Sequence, residues 1–339
     1  MPLTILALNM SSQDAAFAPL RALGDVEVIH AEFRTAWEEV SARRTGAPSP
    51  TPEVITDALR AALARADVIF AFVVPRNLFA LAPRVRWVAT PATGIDHMRG
   101  TGVLESDIFL TNAGGHFAPV IAEHVFAGIL HFAKRLQIFE QHRRERLWKM
   151  VRVESLAGRT LGVVGVGAIG TAVAKLAHAF GMQVIGVGRG DPAGRQVPHV
   201  DRLLPRAELH TLLAAADYVV LAVAETPETR HLIGAAELAA MPPHAVLVNV
   251  ARGTVIDEPA LIAALRDGRI AGAALDVFAH EPLPADSPLW DMPNVVFTPH
   301  VAATTDDYLR QAIAQFTDNA RRFLHGEPLL HQFDRARGY

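Results

Sequence analysis

Six short runs in the second half of this 339-residue chain are apolar on nearly every successive residue. They are "TLGVVGV" (160–166), "QVIGV" (183–187), "YVVLAVA" (218–224), "AVLVNVA" (245–251), "IAGAALDVF" (270–278) and "NVVFTP" (294–299). A strand covered on one face alternates apolar and polar residues, whereas a strand covered on both faces does not. These runs therefore call for a parallel sheet between two layers of helices. The segments between them are long enough for right-handed crossover helices. In "DEPALIAALRDGRI" (257–270), Asp257 can cap a helix, Pro259 sits early in it, and Gly268 stops it.

The first half repeats the pattern on a smaller scale. "TILAL" (4–8), "VEVI" (26–29), "VIFAFV" (68–73) and "VRWVAT" (85–90) read as strands. "TPEVITDALRAALARA" (51–66) reads as a helix capped by Thr51 with Pro52 at its start. This block ends near residue 107. One long helix then begins near Pro119 in "FAPVIAEHVFAGILHFAKRLQIFEQHRRER" (117–146) and links the blocks. Its basic end, with Arg143, Arg144 and Arg146, suits a solvated helix C-terminus, or a subunit or substrate contact. After His300 a further helix, 305–324, ends before Gly326 and returns to the first block. The expected organisation is a first domain of residues 1–107 and 301–339, and a second of 108–300 that includes the linking helix 119–145. A cleft between them is the natural place for a ligand.

Composition narrows the function classes. A formal net charge of −3 provides no global positive field for nucleic acid or membranes. The absence of cysteine removes disulfides and thiolate chemistry. "MPLTILALNM" has no basic leader before its short apolar run, and no stretch is long and clean enough for a membrane span. A cytoplasmic protein is expected. The histidines are scattered, no metal cluster is evident, and His131, His178 and His210 read as ordinary helix residues.

Within "LGVVGVGAIGTAVAKLAHAFG" lies Gly165-x-Gly167-x-x-Gly170, between an apolar strand and an amphipathic helix. Gly165 permits a tight turn, Gly167 lets the backbone approach a pyrophosphate, and Gly170 lets helix and strand pack closely. The helix N-terminus, opened by Ala168 and Ile169, then faces the phosphates. Purely structural glycines are the alternative. An acid that holds the adenosine ribose is expected about 20 residues further on. In "VIGVGRGD" (184–191) that place holds Gly188, followed by Arg189. No carboxylate is there to repel a 2′-phosphate, and Arg189 can pair with one. The reading favours NADP(H), with NAD(H) possible, since Asp191 lies close by and Arg189 can equally face solvent.

Three polar residues follow strand ends on what should be one edge of the sheet: Arg252, Glu281 and His300. Each has an ordinary role open to it, supporting a loop, capping a short helix or capping a turn. Together they suit ketone reduction, which needs a hydride donor, a proton donor and an anchor for the carbonyl compound. Histidine can give the proton near neutral pH, and a neighbouring glutamate fixes its tautomer. Arginine can clamp the adjacent carboxylate and ketone oxygens of a 2-keto acid.

These motifs resemble the D-isomer-specific 2-hydroxyacid dehydrogenase family, especially its glyoxylate/hydroxypyruvate reductase-like members. The resemblance rests on "GVVGVGAIG", "LAVAETPETRHLIG" and "VLVNVARGTVIDEPALIAALRDGRIAGAALDVFAHEPLPADSPLWDMPNVVFTPHVA". It implies an α/β fold of two flavodoxin/Rossmann-like domains, with a discontinuous substrate domain and an active-site cleft between them. It also implies a homodimer and direct reduction of glyoxylate, hydroxypyruvate or a similar 2-keto acid to the D-2-hydroxy acid. Arg252 would bind the substrate carboxylate and carbonyl oxygen. His300 would exchange the proton beside the nicotinamide, and Glu281 would pair with His300. Asp276 would hold the nicotinamide amide, Ala251 would add a backbone contact to that ring, and Ala224 and Thr226 would run past the adenosine.

In "ATPATGIDHM" the N–H groups of Thr93, Gly94 and Ile95 would receive the carboxylate, with Asp96 supporting the loop. His97 departs from the commonest family sequence, as do Ala302 and Ala303 after the histidine. Formate-oxidising members carry glutamine where this chain has Glu281, which argues against that branch. A cofactor-binding sensor or corepressor, and an enzyme acting on phosphite or a larger aromatic keto acid, are the alternatives.

Overall fold

The computed structural model describes residues 2–45, 52–190 and 194–338. The chain separates into two compact units, Met1–Gly114 with Thr304–Tyr339, and Gly115–Ala303.

The first unit holds a parallel five-stranded sheet, formed by β1 (Leu3–Leu8), β2 (Val26–Ala31), β3 (Val68–Phe70), β4 (Trp87–Ala89) and β5 (Phe109–Thr111). The spatial order is β2-β1-β3-β4-β5, the flavodoxin arrangement. The three residues of β5 extend this unit past the expected boundary at 107, because they pair with β4. C-terminal helix Tyr308–His325 packs its apolar side here: Phe316 stacks on Phe70 at 4.6 Å and meets Trp87 at 5.0 Å. Gly326, at φ +68°, ends that helix in the left-handed region.

The helix expected at 51–66 is shorter, Asp57–Arg65, and Thr56 caps it by accepting from the Leu59 N–H. Val54, Ile55 and Thr56 are β-branched in succession, which favours extended backbone before the cap. The predicted cap Thr51 lies outside the described residues. A helix at Trp37–Thr45 had no counterpart in the sequence reading. It is tied down by the buried Arg43, which donates to Glu39 and to the Val74 carbonyl, both at 2.8 Å.

The second unit contains β6 (Thr160–Val164), β7 (Gln183–Gly188), β8 (Arg202–Pro205), β9 (Tyr218–Leu221), β10 (Val246–Asn249), β11 (Gly272–Leu275) and β12 (Val295–Phe297). All pairs are parallel, in the order β12-β11-β10-β9-β6-β7-β8. The chain runs outward from β6 to β8, returns beside β6, and runs outward the other way from β9. This is a Rossmann-type sheet, and its switch point lies between β6 and β9. Strand β8, "RLLP", was not foreseen; it is an edge strand that ends in proline.

The single linking helix divides in two, Ala118–Ala133 and Leu136–Arg144, with Arg135 at φ +53° between them. The break has a tertiary cause. Lys134 donates to the Glu154 carbonyl at 2.6 Å, Arg135 to that of Arg152 at 3.1 Å, and the Glu154 N–H to Ala133 at 2.8 Å. The returning chain therefore satisfies the carbonyl end of the first helix. Helix Glu258–Arg266 has the expected punctuation: Asp257 accepts from the Ala260 N–H and Gly268 sits at φ +62°. Among the described residues, no helix is long and apolar enough to cross a membrane.

Candidate active site

Because every strand of the second unit runs the same way, the loops after β6, β7, β9, β10, β11 and β12 line one edge of the sheet. The glycine-rich turn lies there, beside the switch point. Gly165 has φ +102°, and a Cβ on it would stand 2.5 Å from the Ala222 carbonyl oxygen. A Cβ on Gly170 would stand 2.0 Å from the Gly165 oxygen, so helix Ala168–Ala179 can approach β6 only if that residue is glycine. Gly167 differs, because a Cβ there would meet nothing within 4 Å. It borders open space at the N-cap of a 12-residue helix that no side chain caps. The N–H groups of Ala168, Ile169 and Gly170 open that helix, and such an end attracts a phosphate. The residues fit a dinucleotide pyrophosphate.

Gly188 ends β7, and its position is crowded: a Cβ would stand 2.8 Å from Val166 Cγ2. Arg189 follows at the surface, its guanidinium 3.9 Å from the Glu228 carboxylate. Glu228 is held below the ordinary glutamate range, first by the Thr226 side chain and also by Arg189 and Arg206. This exposed pair is loose and worth little. Asp191 lies outside the described residues. Near the end of β9, Thr226 is buried and its N–H donates to Thr229 Oγ1 at 2.8 Å. The Thr229 hydroxyl donates in turn to the Ala224 carbonyl at 2.7 Å. Both expected adenosine-side residues thus belong to one hydrogen-bonded turn.

Arg252 begins the loop after β10, and its Nη1 donates to the Ala251 carbonyl at 2.7 Å. The Ala251 N–H donates to Asn249 Oδ1, and Asn249 Nδ2 donates to the Arg252 carbonyl, both at 3.0 Å. A buried asparagine therefore fixes the backbone on both sides of the arginine. Next comes Gly253, where a Cβ would stand 1.8 Å from the Phe278 carbonyl carbon. That contact presses the Arg252 loop onto the turn that carries Glu281.

Glu281 Oε1 accepts from the Phe278 N–H at 3.1 Å, and its Oε2 lies 2.8 Å from His300 Nδ1. The pair is largely buried, and His300 has φ +55°, a region that non-glycine residues seldom enter. Asp276 explains how that backbone is held. Its carbonyl accepts from the His300 N–H at 2.8 Å. Its carboxylate accepts from the N–H groups of Val301 at 2.8 Å and Ala302 at 3.0 Å, and from Thr298 Oγ1 at 2.6 Å. The described residues take three of the roughly four acceptor positions on this carboxylate, and His124 Nε2 also lies 3.8 Å from its Oδ1.

In the first unit, the loop after β4 has its carbonyls engaged from behind. The Tyr308 hydroxyl donates to Pro91 at 2.7 Å, the Ala113 N–H to Ala92 at 2.9 Å, and Asn112 Nδ2 to Thr93 at 2.8 Å. The N–H groups of Thr93, Gly94 and Ile95 make no hydrogen bond to the described residues. Burial pushes the Tyr308 hydroxyl pKa upward, so it remains a donor. Asp96 is buried, 3.4 Å from Arg44 Nε, and His97 is buried with Nε2 3.3 Å from the Thr90 hydroxyl. Both belong to the support of this loop. Asn112, Tyr308, Asn249, Gly253 and Thr298 were absent from the sequence reading. Asn249 alone left a signal, as the one polar residue in "VLVNVA".

The profile described as D-isomer specific 2-hydroxyacid dehydrogenase, NAD binding domain, matches residues 126–302. The glyoxylate reductase of Korarchaeum cryptofilum is 37% identical over 257 residues, which cover 74% of this chain and 76% of that protein. A D-isomer specific 2-hydroxyacid dehydrogenase from Xanthobacter autotrophicus, solved with NADPH and MES, aligns at TM-score 0.81 and 31% identity, over 100% of this chain and 99% of its own. The NADPH-dependent glyoxylate/hydroxypyruvate reductase of Sinorhizobium meliloti, solved with NADP and sulfate, aligns at TM-score 0.80 and 27% identity, over 100% of both chains.

Proposed function

Because the chain belongs to the D-isomer-specific 2-hydroxyacid dehydrogenase family, we propose that it reduces glyoxylate, hydroxypyruvate or a 2-keto acid of similar size to the D-2-hydroxy acid, preferring NADPH. NAD(P)-dependent interconversion of 2-keto and 2-hydroxy acids is the general activity that membership brings. The observation that carries the proposal is the 2.8 Å contact between His300 Nδ1 and Glu281.

A carboxylate only accepts, so Nδ1 carries a proton and Nε2 is the nitrogen that exchanges one with the substrate. In reduction, His300 Nε2 gives its proton to the ketone oxygen and recovers it from solvent afterwards. Arg252 binds the carboxylate and that oxygen, which steadies negative charge as it develops. In the first unit, the N–H groups of Thr93, Gly94 and Ile95 are carboxylate donors. The Gly167 turn and the N–H groups of Ala168, Ile169 and Gly170 would hold the pyrophosphate. Asp276 has the acceptor position that suits a nicotinamide amide, and the reduced nicotinamide, when bound, supplies hydride for C2 of the keto acid.

NADPH is favoured because Gly188 brings no acid and Arg189 brings a cation. The structures from Xanthobacter autotrophicus and Sinorhizobium meliloti, solved with NADPH and NADP, support the same reading. A cytoplasmic location accords with a cofactor that cells keep reduced. We also propose a homodimer. Trp148 is 100% exposed and Met150 93%, in a segment that also exposes Leu136, Leu147 and Val153, more apolar surface than a lone chain usually leaves in water.

A kinetic matrix tests the proposal, with NADPH and NADH against small, branched and aromatic 2-keto acids. Highest kcat/KM for NADPH with glyoxylate or hydroxypyruvate is expected. Equal kcat/KM for both cofactors would overturn the preference. Normal cofactor binding with no turnover would make the protein a cofactor sensor instead.

A further inference from the structure

Helix Ala118–Ala133 reaches the back of the loop that carries His300. His124 Nε2 lies 3.0 Å from Thr298 Oγ1, which lies 2.6 Å from Asp276 Oδ1. The direction of this chain is determined by its end. Asp276 only accepts, so the single Thr298 proton points at it, and the Thr298 oxygen must accept from His124 Nε2–H. From Asp276 the chain continues to the N–H groups of Val301 and Ala302, while the His300 N–H meets the Asp276 carbonyl. Three successive N–H groups thus converge on one residue, and they hold His300 at φ +55°. Such a backbone persists only where its surroundings over-determine it.

We propose that Thr298 and His124 are positioning residues for proton transfer, acting through Asp276 on the loop that carries His300. This rests on the proton role proposed for His300. Thr298 aims the Asp276 carboxylate at the Val301 and Ala302 N–H groups, and His124 aims the Thr298 hydroxyl. Neither residue is needed to bind the pyrophosphate, since the glycine turn does that. His124 also borders a cavity of about 210 Å³ whose walls include Ala127, Gly128, Val248 and Phe297, so a substitution there has room.

The test compares wild type with Thr298→Val, Thr298→Ser and His124→Leu, by steady-state kinetics with glyoxylate and NADPH, by NADPH binding, and by amide hydrogen exchange at residues 300–302. Thr298→Val and His124→Leu should lower kcat about tenfold, a loss of transition-state geometry, with a smaller loss of NADPH affinity, confined to the nicotinamide amide that Asp276 is proposed to hold. Thr298→Ser should restore most of kcat. Exchange at Val301 and Ala302 should quicken in the two disabled variants and not in Thr298→Ser. Wild-type exchange in both Thr298→Val and His124→Leu would overturn the inference, as would unchanged kcat in both. If the wild type turns over no keto acid, the proposed activity fails, and the exchange measurement decides the positioning role by itself.

Discussion

His300 Nδ1 and Glu281 Oε2 lie 2.8 Å apart, and the other Glu281 oxygen takes the Phe278 N–H at 3.1 Å. The carboxylate is thereby fixed from its own turn while it fixes the imidazole. Glu281→Gln retains the shape and can present either an oxygen or an NH2 to Nδ1. It should lower kcat on the order of 10²-fold, with cofactor binding little changed. Saturation kinetics near neutral pH measure this, and a wild-type kcat would count against the tautomer argument.

The Arg189–Glu228 pair, 3.9 Å apart, makes a pair of opposite predictions. Arg189→Ala should weaken NADPH at least tenfold more than NADH, since a charge-assisted bond to the 2′-phosphate is lost. Glu228→Gln removes a negative charge beside the guanidinium, so it should tighten NADPH. Titrations of nicotinamide fluorescence give both constants. Equal weakening of the two cofactors in Arg189→Ala would remove Arg189 from the phosphate site.

Tyr308→Phe deletes the donor to the Pro91 carbonyl. An unsatisfied buried carbonyl costs about 1–3 kcal/mol, and the loosened loop should raise KM for the keto acid more than it lowers kcat. A pH dependence accompanies it. Burial raises the Tyr308 pKa in the folded state, so the folded chain holds this proton more tightly than the unfolded chain does. Its contribution is complete below the ordinary tyrosine value of about 10 and is lost as pH rises above it. Tyr308→Phe should therefore flatten part of the alkaline fall in Tm, and an unaltered slope would contradict this.

Gly253→Ala should be among the most damaging small substitutions. The added methyl would fall 1.8 Å from the Phe278 carbonyl carbon, and backbone cannot step aside as a flexible side chain does. Overpacking of this kind costs about 1–3 kcal/mol, and it shifts Arg252 away from its seat. A fall in both Tm and kcat/KM is expected. Wild-type values of both would show that the loop is softer than the contact implies.

What could be read in the sequence was what local chemistry dictates. The Gly165–Gly170 turn is legible because its three glycines sit at fixed spacing between an apolar strand and a helix, although the Ala222 carbonyl that crowds Gly165 comes from the distant loop after β9. The strands of the second unit are legible because burial on both faces makes them uniformly apolar. The missed features arise from distant partners. The helix break at Arg135 depends on carbonyls at Arg152 and Glu154. The grip on the loop after β4 comes from Tyr308, 217 residues beyond Pro91. Asp276 could be singled out at a strand end, but its hold on Val301 and Ala302 appears only once β11 and β12 lie side by side.

We propose that His300 gives and takes the proton in a hydride-transfer reaction. The most direct measurement is NADPH oxidation by wild type and His300→Ala with glyoxylate or hydroxypyruvate, alongside NADPH binding to both. A loss of at least about 10²-fold in kcat is expected for His300→Ala, with NADPH affinity retained. Near-normal turnover in His300→Ala would contradict it.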